Sequence, residues 1–415
     1  MHPLASHLSI SKTSTIAGTV MQLSSSKSIS NRALLLKALS GNQSVVSNLS
    51  DARDTQTMNR LVGSDDKIID VLDAGTTMRF LTAYFAISGK NKIITGTPRM
   101  KERPIGILVD ALRTLGASID YLEKEGFPSI ETKGFSSQKT DRLEIPGNVS
   151  SQYISALMMI APTLPLGLTI SLAGKIGSVP YIQMTAALMN EFGVTCHLDF
   201  DKQVIHVPSL AYKPASITVE ADWSAISYWY GFTALAETAS IVLPNVSEKS
   251  LQGDRVIADI MDVLGVHSTF TNNTLVLAKK SHSDKISWDF KDCPDLAQTV
   301  LPVCAAKGIV GEFTGLESLR IKETDRIAAL QNELGKIGAT LTEPETGKWI
   351  LTPGQITGEP ITIETYHDHR MAMGLAPLAT LTNLIIKDPS VVNKSYPGFW
   401  NDLKTVGFSI SASAE

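Results

Sequence analysis

A chain of 415 residues is longer than one hydrophobic core usually supports, so two or more domains are expected. Its 43% hydrophobic and 19% charged residues are those of a soluble globular protein, and a net charge of −4 argues against nucleic acid or an anionic membrane as the main partner. Any anion site must be local, built from a few converging cations.

The three cysteines, Cys196, Cys293 and Cys304, lack metal-ligand spacing, and so sparse and odd a set suits reduced thiols in the cytoplasm. Met1-His2-Pro3-Leu4-Ala5-Ser6-His7 lacks the charged and apolar regions of a secretory signal, and no apolar run of about 18 residues offers a membrane span.

In chain order, Ser26-Lys27-Ser28-Ile29-Ser30-Asn31-Arg32 runs into the apolar Ala33–Leu39. Hydroxyls and two cations at the start of a buried helix suit an anion, although the same residues also fit an ordinary capped core helix. Thr55–Leu61 then forms an amphipathic helix running into Gly63. Asp73-Ala74-Gly75-Thr76-Thr77-Met78-Arg79 opens a second buried helix, Met78–Ile87, with a glycine that lets a ligand approach the backbone. Strand Lys92–Ile94 follows. Thr97-Pro98-Arg99-Met100-Lys101-Glu102-Arg103-Pro104 is a loop stiffened by two prolines, suited to holding a guanidinium against an anion or simply to a solvated surface.

Helix Pro104–Leu115 ends at Gly116 and leads into Ala117-Ser118-Ile119. Gly147-Asn148-Val149-Ser150-Ser151-Gln152-Tyr153 offers neutral donors ahead of the buried Tyr153–Ala161, and Ser178 repeats the pattern, more simply read as a cap, before Tyr181–Phe192 and Gly193. Strand Leu168–Leu172 lies between them. The second half repeats the plan. Trp223 opens the buried Ala225–Leu235, strand Ser240–Leu243 follows, and Arg255–Leu264 runs into Gly265. Asp292-Cys293-Pro294-Asp295 precedes the buried Leu296–Ala306, and its carboxylates are either caps or a base held near cations.

Arg320-Ile321-Lys322-Glu323-Thr324-Asp325-Arg326 mixes both signs, with Lys322 and Arg326 expected on one helical face, ahead of Asp325–Ile337 and Gly338. Tyr366-His367-Asp368-His369-Arg370 opens the buried Met371–Leu381; its two imidazoles lack the further ligands a metal needs. Strand Leu384–Ile386, Lys394, and Pro397–Val406 into Gly407 complete the chain.

Each amphipathic helix ending in glycine and then a short strand is a helix-to-strand connection, and the glycines recur roughly every seventy residues after a shorter first interval. Helices apolar all round are buried ones. The chain therefore reads as α/β, in six similar units that each hold one buried and one half-exposed helix. Lys27, Arg32, Arg79, Arg99, Lys322, Arg326, Arg370 and Lys394 lie at or beside helix starts, a set able to neutralise a small ligand with several anionic groups. No Walker loop or G-x-G-x-x-G after a strand is present, which leaves nucleotide readings weak.

The stretches Ser26–Arg32, Asp73–Arg79, Pro98–Pro104, Lys322-Glu323-Thr324-Asp325-Arg326 and Asp368-His369-Arg370-Met371-Ala372, in this order, closely resemble the 5-enolpyruvylshikimate-3-phosphate synthases. The resemblance implies two similar domains, each of three βαβαββ units around buried parallel helices, an inside-out α/β barrel. It places residues 25–221 in a first domain, mainly binding shikimate-3-phosphate. Residues 1–24 with 222–415 form a second, on the phosphoenolpyruvate side. The crossovers fall near 20–25 and 218–224, and the domains close on substrate.

The implied reaction passes the enolpyruvyl group of phosphoenolpyruvate to the 5-hydroxyl of shikimate-3-phosphate by addition and elimination, in chorismate and aromatic amino-acid biosynthesis. It uses no metal or cofactor, in a monomer. Shikimate-3-phosphate would contact Lys27, Ser28, Arg32, Ser150, Ser151, Gln152, Ser178, Asp295 and Lys322. Phosphoenolpyruvate would contact Lys27, Gly75, Arg99, Gln152, Arg326, Arg370 and Lys394. Asp295 is the candidate base, with Lys27 or Glu323 relaying protons at the methylene.

The family is a glyphosate target, and Gly75 keeps the small residue its herbicide site needs. Three stretches depart from the family pattern. Leu23-Ser24-Ser25 replaces Leu-Pro-Gly, Asp73 replaces an asparagine, and Ser318 replaces another. The related transferase acting on UDP-N-acetylglucosamine carries a cysteine loop in its first domain, whereas this chain has no cysteine before Cys196. A degenerate, binding-only relative would have lost acid–base groups, yet Asp295, Glu323 and Lys27 are present.

Overall fold

The buried helices expected from the sequence form the centre of each of two units, and the sheets lie outside them. The computed structural model describes residues 6–413, so most of the N-terminal stretch read for a leader lies outside the described residues. One unit is Ser26–Val219; the other joins the chain up to Ser25 with the chain from Glu220 onward.

In the Ser26–Val219 unit, helices Lys27–Leu39, Gly75–Ile87 and Ser151–Ile160 pack against one another. Their side chains are apolar on nearly every side because no face meets water. Arg53–Leu61, Gly106–Leu115 and Val179–Glu191 are the half-exposed helices. In the second unit the central helices are Trp223–Leu235, Ala297–Lys307 and His369–Leu375, again in mutual contact. Gly374 makes one of these contacts possible, since a Cβ there would fall 2.1 Å from the backbone oxygen of Gln298. Ile257–Leu264, Arg326–Gly335 and Phe399–Thr405 are its half-exposed helices.

Among the described residues five of the six sheets share one plan, in which a parallel pair of strands continues into two antiparallel neighbours. Ile68–Asp70 and Lys92–Thr95 are such a pair, extended by Ile130–Phe135 and Ala117–Tyr121. The buried helix Gly75–Ile87 connects the parallel strands and the half-exposed Gly106–Leu115 leads into the hairpin, which is the βαβαββ unit. The same arrangement recurs around Leu168–Ala173, Thr238–Pro244, Val310–Thr314 and Leu384–Lys387. The sixth sheet has only Val45–Ser47 paired in parallel with Ser216–Thr218, so the unit after helix Lys27–Leu39 lacks a hairpin. Thr15–Thr19 meanwhile pairs with Thr238–Pro244, and His7–Ile10 lies between Leu384–Lys387 and Ile410–Ser413.

The fold class read from the sequence is the one observed. Gly116, Gly193, Gly265, Gly338 and Gly407 take positive φ, as helix-ending glycines should, whereas Gly63 is not among the positive-φ residues. Residues 98–104 are not simply a loop: Thr97 accepts a bond from the Met100 amide and caps a one-turn helix, Pro98–Lys101. Lys322 is not helical either. It is extended, after a 3₁₀ turn at Glu317–Ile321, and the helix starts at Arg326 under an Asp325 cap.

Candidate active site

Each unit carries its own set of polar side chains at the starts of its central helices. In Ser26–Val219, Ser26 caps helix Lys27–Leu39 by accepting from the Ile29 amide at 3.4 Å. Lys27 Nζ donates to Asp54 Oδ2 at 3.0 Å, and Asp54 sits at the start of Arg53–Leu61. Arg32 is buried one turn further on. Its Nε donates to Thr185 Oγ1 at 2.7 Å, Nη2 to Ser155 Oγ at 3.1 Å and Nη1 to the Ser28 carbonyl at 3.0 Å. Phe80 and Tyr181 flank the guanidinium, 5.4 and 5.7 Å from their ring centres. None of these partners is a carboxylate. Burial without a counter-ion pushes the Arg32 pKa down to about 10, which is a cost of holding this charge in place.

The Gly75 turn is built against Arg103. A Cβ at residue 75 would lie 2.8, 2.9 and 3.0 Å from Nη1, Nη2 and Cζ of Arg103, so glycine is what lets the guanidinium rest on the backbone. Arg79 ties the two segments together, donating from Nη1 to the Gly75 carbonyl at 3.1 Å and from Nη2 to the Pro104 carbonyl at 2.9 Å. The Tyr153 hydroxyl donates to the same Pro104 carbonyl. Gln152 Nε2 donates to Thr76 Oγ1 at 3.1 Å, linking two helix starts, and Ser150 caps its helix through the Gln152 amide.

Two sequence expectations fare differently here. Arg99 is half exposed and pairs with Glu102 at 2.8 Å, while Arg103, four residues on and not singled out before, meets the Gly75 turn. Ser178 is left-handed, with φ +55°, and its side chain makes no capping bond, so the cap reading of this serine does not hold.

The second unit gathers both signs. Asp295 Oδ1 accepts from Arg326 Nη1 at 2.9 Å, Asp295 Oδ2 pairs with Arg370 Nη2 at 3.0 Å, and Lys322 Nζ stands 3.7 Å away. Lys322 therefore reaches the same carboxylate as Arg326 without sharing its helix. Arg326 also binds Glu323 at 3.0 Å and Asp368 at 2.7 Å, and Lys394 Nζ lies 3.4 Å from Glu323. Asp368 caps helix His369–Leu375 through the Arg370 amide. Burial alone would raise the Asp295 pKa, but Arg370, Lys322 and Arg326 outweigh it and hold the carboxyl well below the usual carboxylate range.

Behind Arg370 a polar chain continues that sequence reasoning missed. Arg370 Nη2 donates to Ser224 Oγ at 3.2 Å, Nη1 to the Tyr228 hydroxyl at 3.4 Å, and Ser224 donates to Asp254. Burial, joined by the charge of Asp295, raises the Asp254 pKa to about 6 against the pull of Arg370. Nothing in local sequence marks Ser224 and Asp254, which lie thirty residues apart. Among the described residues no cluster of His, Cys, Asp or Glu has metal-binding geometry, and no helix is long and apolar enough to cross a membrane.

A buried guanidinium among neutral partners, and a carboxylate gripped by three cations, suit polyanionic substrates and proton transfer. The comparisons agree. The family profile of EPSP synthase (3-phosphoshikimate 1-carboxyvinyltransferase) matches residues 10–64 and 60–403. A 3-phosphoshikimate 1-carboxyvinyltransferase of Bacteroides fragilis (strain YCH46) is 45% identical over 410 residues, covering 98% of this chain and 99% of the relative. That of Aliivibrio salmonicida (strain LFI1238) is 35% identical over 427 residues, covering 96% and 98%. A solved structure of EPSP synthase from Acinetobacter baumannii has the same fold, with TM-score 0.75 at 18% identity, covering 98% of this chain and 99% of that one. The chain belongs to the EPSP synthase family, the 3-phosphoshikimate 1-carboxyvinyltransferases, and is an enolpyruvyl transferase of the shikimate pathway.

Proposed function

We propose that Lys27, Ser28, Arg32, Ser150, Ser151, Gln152, Ser178, Asp295 and Lys322 hold shikimate-3-phosphate. We assign phosphoenolpyruvate to Lys27, Gly75, Arg99, Gln152, Arg326, Arg370 and Lys394, and add Arg103, which rests against the Gly75 turn. The Ser26–Val219 unit is then mainly the shikimate-3-phosphate domain, and the second unit supplies the base. The observation that carries this reading is Arg32, a buried guanidinium whose bonded partners are all neutral. A substrate anion is the counter-charge it lacks.

The reaction forms a bond between the 5-hydroxyl oxygen of shikimate-3-phosphate and C2 of phosphoenolpyruvate. The hydroxyl loses a proton and the vinyl CH2 gains one. Breaking the C–O bond to phosphate, with loss of a proton from the new methyl group, then restores the double bond. Asp295 takes the hydroxyl proton, and Lys27 or Glu323 exchanges protons at the methylene. Cations at the leaving phosphate stabilise the charge that develops as it departs.

The test is a phosphate-release assay on the purified protein. Release is expected only when phosphoenolpyruvate and shikimate-3-phosphate are both present. Release with UDP-N-acetylglucosamine in place of shikimate-3-phosphate would overturn the reading.

A further inference from the structure

Asp73 brings a negative charge to the entry of the Gly75 turn. The structure shows what answers it. Arg53 Nη2 lies 3.0 Å from Oδ1 and 3.0 Å from Oδ2 of Asp73. Arg53 and Asp54 are the first two residues of helix Arg53–Leu61, and Asp54 holds Lys27 Nζ at 3.0 Å. One helix start thus grips both the lysine and the segment leading into the Gly75 turn, on which Arg103 rests.

We propose that Arg53 is a positioning residue for phosphoenolpyruvate, cancelling the charge of Asp73 so that the anion meets Gly75 and Arg103 without repulsion. This rests on the assignment of the Gly75 turn to phosphoenolpyruvate. The role is electrostatic rather than structural, because the Arg53 and Asp73 side chains are 47% and 30% exposed and such pairs add little to stability. Taking the Arg53 charge away from Asp73 should weaken anion binding at the Gly75 turn by roughly three- to tenfold at low salt, and by less as salt rises.

Steady-state kinetics on the intact enzyme decides it. Arg53→Ala should raise KM for phosphoenolpyruvate by about three- to tenfold while kcat and KM for shikimate-3-phosphate stay within about twofold. Arg53→Lys should behave like wild type. Adding Asp73→Asn to Arg53→Ala should bring KM back, which a merely structural role would not predict. An unchanged KM in Arg53→Ala, or a double variant as poor as the single, refutes the proposal. Arg103→Ala separates this from the underlying reading. If it raises KM for phosphoenolpyruvate while Arg53→Ala does not, only the coupling fails; if neither moves KM, the assignment of the turn fails as well.

Discussion

Replacing Arg32 by methionine should make the protein more stable and nearly useless to its substrate. The guanidinium is buried, and the fall of its pKa from 12.5 to about 10 corresponds to roughly 3 kcal/mol of cost in holding the charge there. Bonds to Thr185, Ser155 and Ser28 and the aromatic contacts offset part of this. Their loss strands little: Ser155 and Thr185 remain bonded to each other at 2.9 Å, and Thr185 still donates to the Tyr181 carbonyl at 2.8 Å. Methionine fills much of the volume without a charge, so the unit should gain about 1–2 kcal/mol, or roughly 2–8 °C in Tm. Shikimate-3-phosphate affinity should fall about a hundredfold, near 3 kcal/mol, because a buried charge-assisted contact is gone. Thermal unfolding followed by circular dichroism and titration calorimetry read the two effects separately. A folded variant less stable than wild type by more than about 1 kcal/mol would refute the reasoning, since Arg32 would then be a structural group rather than one awaiting an anion.

Gly75→Ala should raise KM for phosphoenolpyruvate about tenfold, since the new methyl would sit 2.8 Å from Arg103 Nη1 and displace it, while Tm holds or rises because alanine suits a helix start better. Unchanged kinetics would separate Arg103 from the substrate. Asp295→Ala should cut turnover by about a hundredfold or more with substrate binding within roughly tenfold, measured by pre-steady-state phosphate release; near-normal turnover would remove Asp295 from the chemistry. Asp254 gives a pH signature. Its folded pKa of about 6 is above the ordinary 3.8, so the native state keeps a proton the unfolded chain releases, and stability falls as pH rises from about 4 to 6. Asp254→Asn should flatten that decline in urea titrations across this range, and an unaltered profile would place the proton elsewhere.

The buried helices were legible because a segment apolar on every side has nowhere else to go, and the half-exposed ones because each ends near a glycine. Less visible was which strands pair. His7–Ile10 meets Leu384–Lys387 across almost the whole chain, and the exchange of Thr15–Thr19 into the second unit depends on contacts that no local pattern encodes. The same divide runs through the site. Ser26–Arg32 and Asp368–Arg370 stood out as charge at the head of an apolar helix. Asp54, the partner of Lys27, lies on another helix and carried no such mark. Arg99 and Arg103 look equivalent in a run of cations. Only the folded chain separates them, placing Arg99 beside Glu102 and Arg103 against the Gly75 turn.

The two residue sets meet the problem of buried charge in opposite ways, and this bears on the base. Arg32 is left with neutral partners, whereas Arg326 and Arg370 are satisfied internally, by Asp295, Asp368 and Glu323. In the free protein Asp295 thus stands where a substrate anion would be attractive, and the cations that hold it suppress its basicity. A general base works best with a pKa near the working pH, which this carboxylate lacks while three cations face it. When phosphoenolpyruvate takes up Arg326 and Arg370, as proposed, that attraction is shared and the pKa of Asp295 should rise. On the proposed assignment base strength is coupled to occupancy, with Asp295 becoming competent as the anion to be attacked arrives. Titration of a carbon-13 label in the Asp295 carboxyl, with and without phosphoenolpyruvate, should show an upward pKa shift on binding. No shift, or a downward one, would mean that the cations never let go of Asp295 and that the proton leaves by another route.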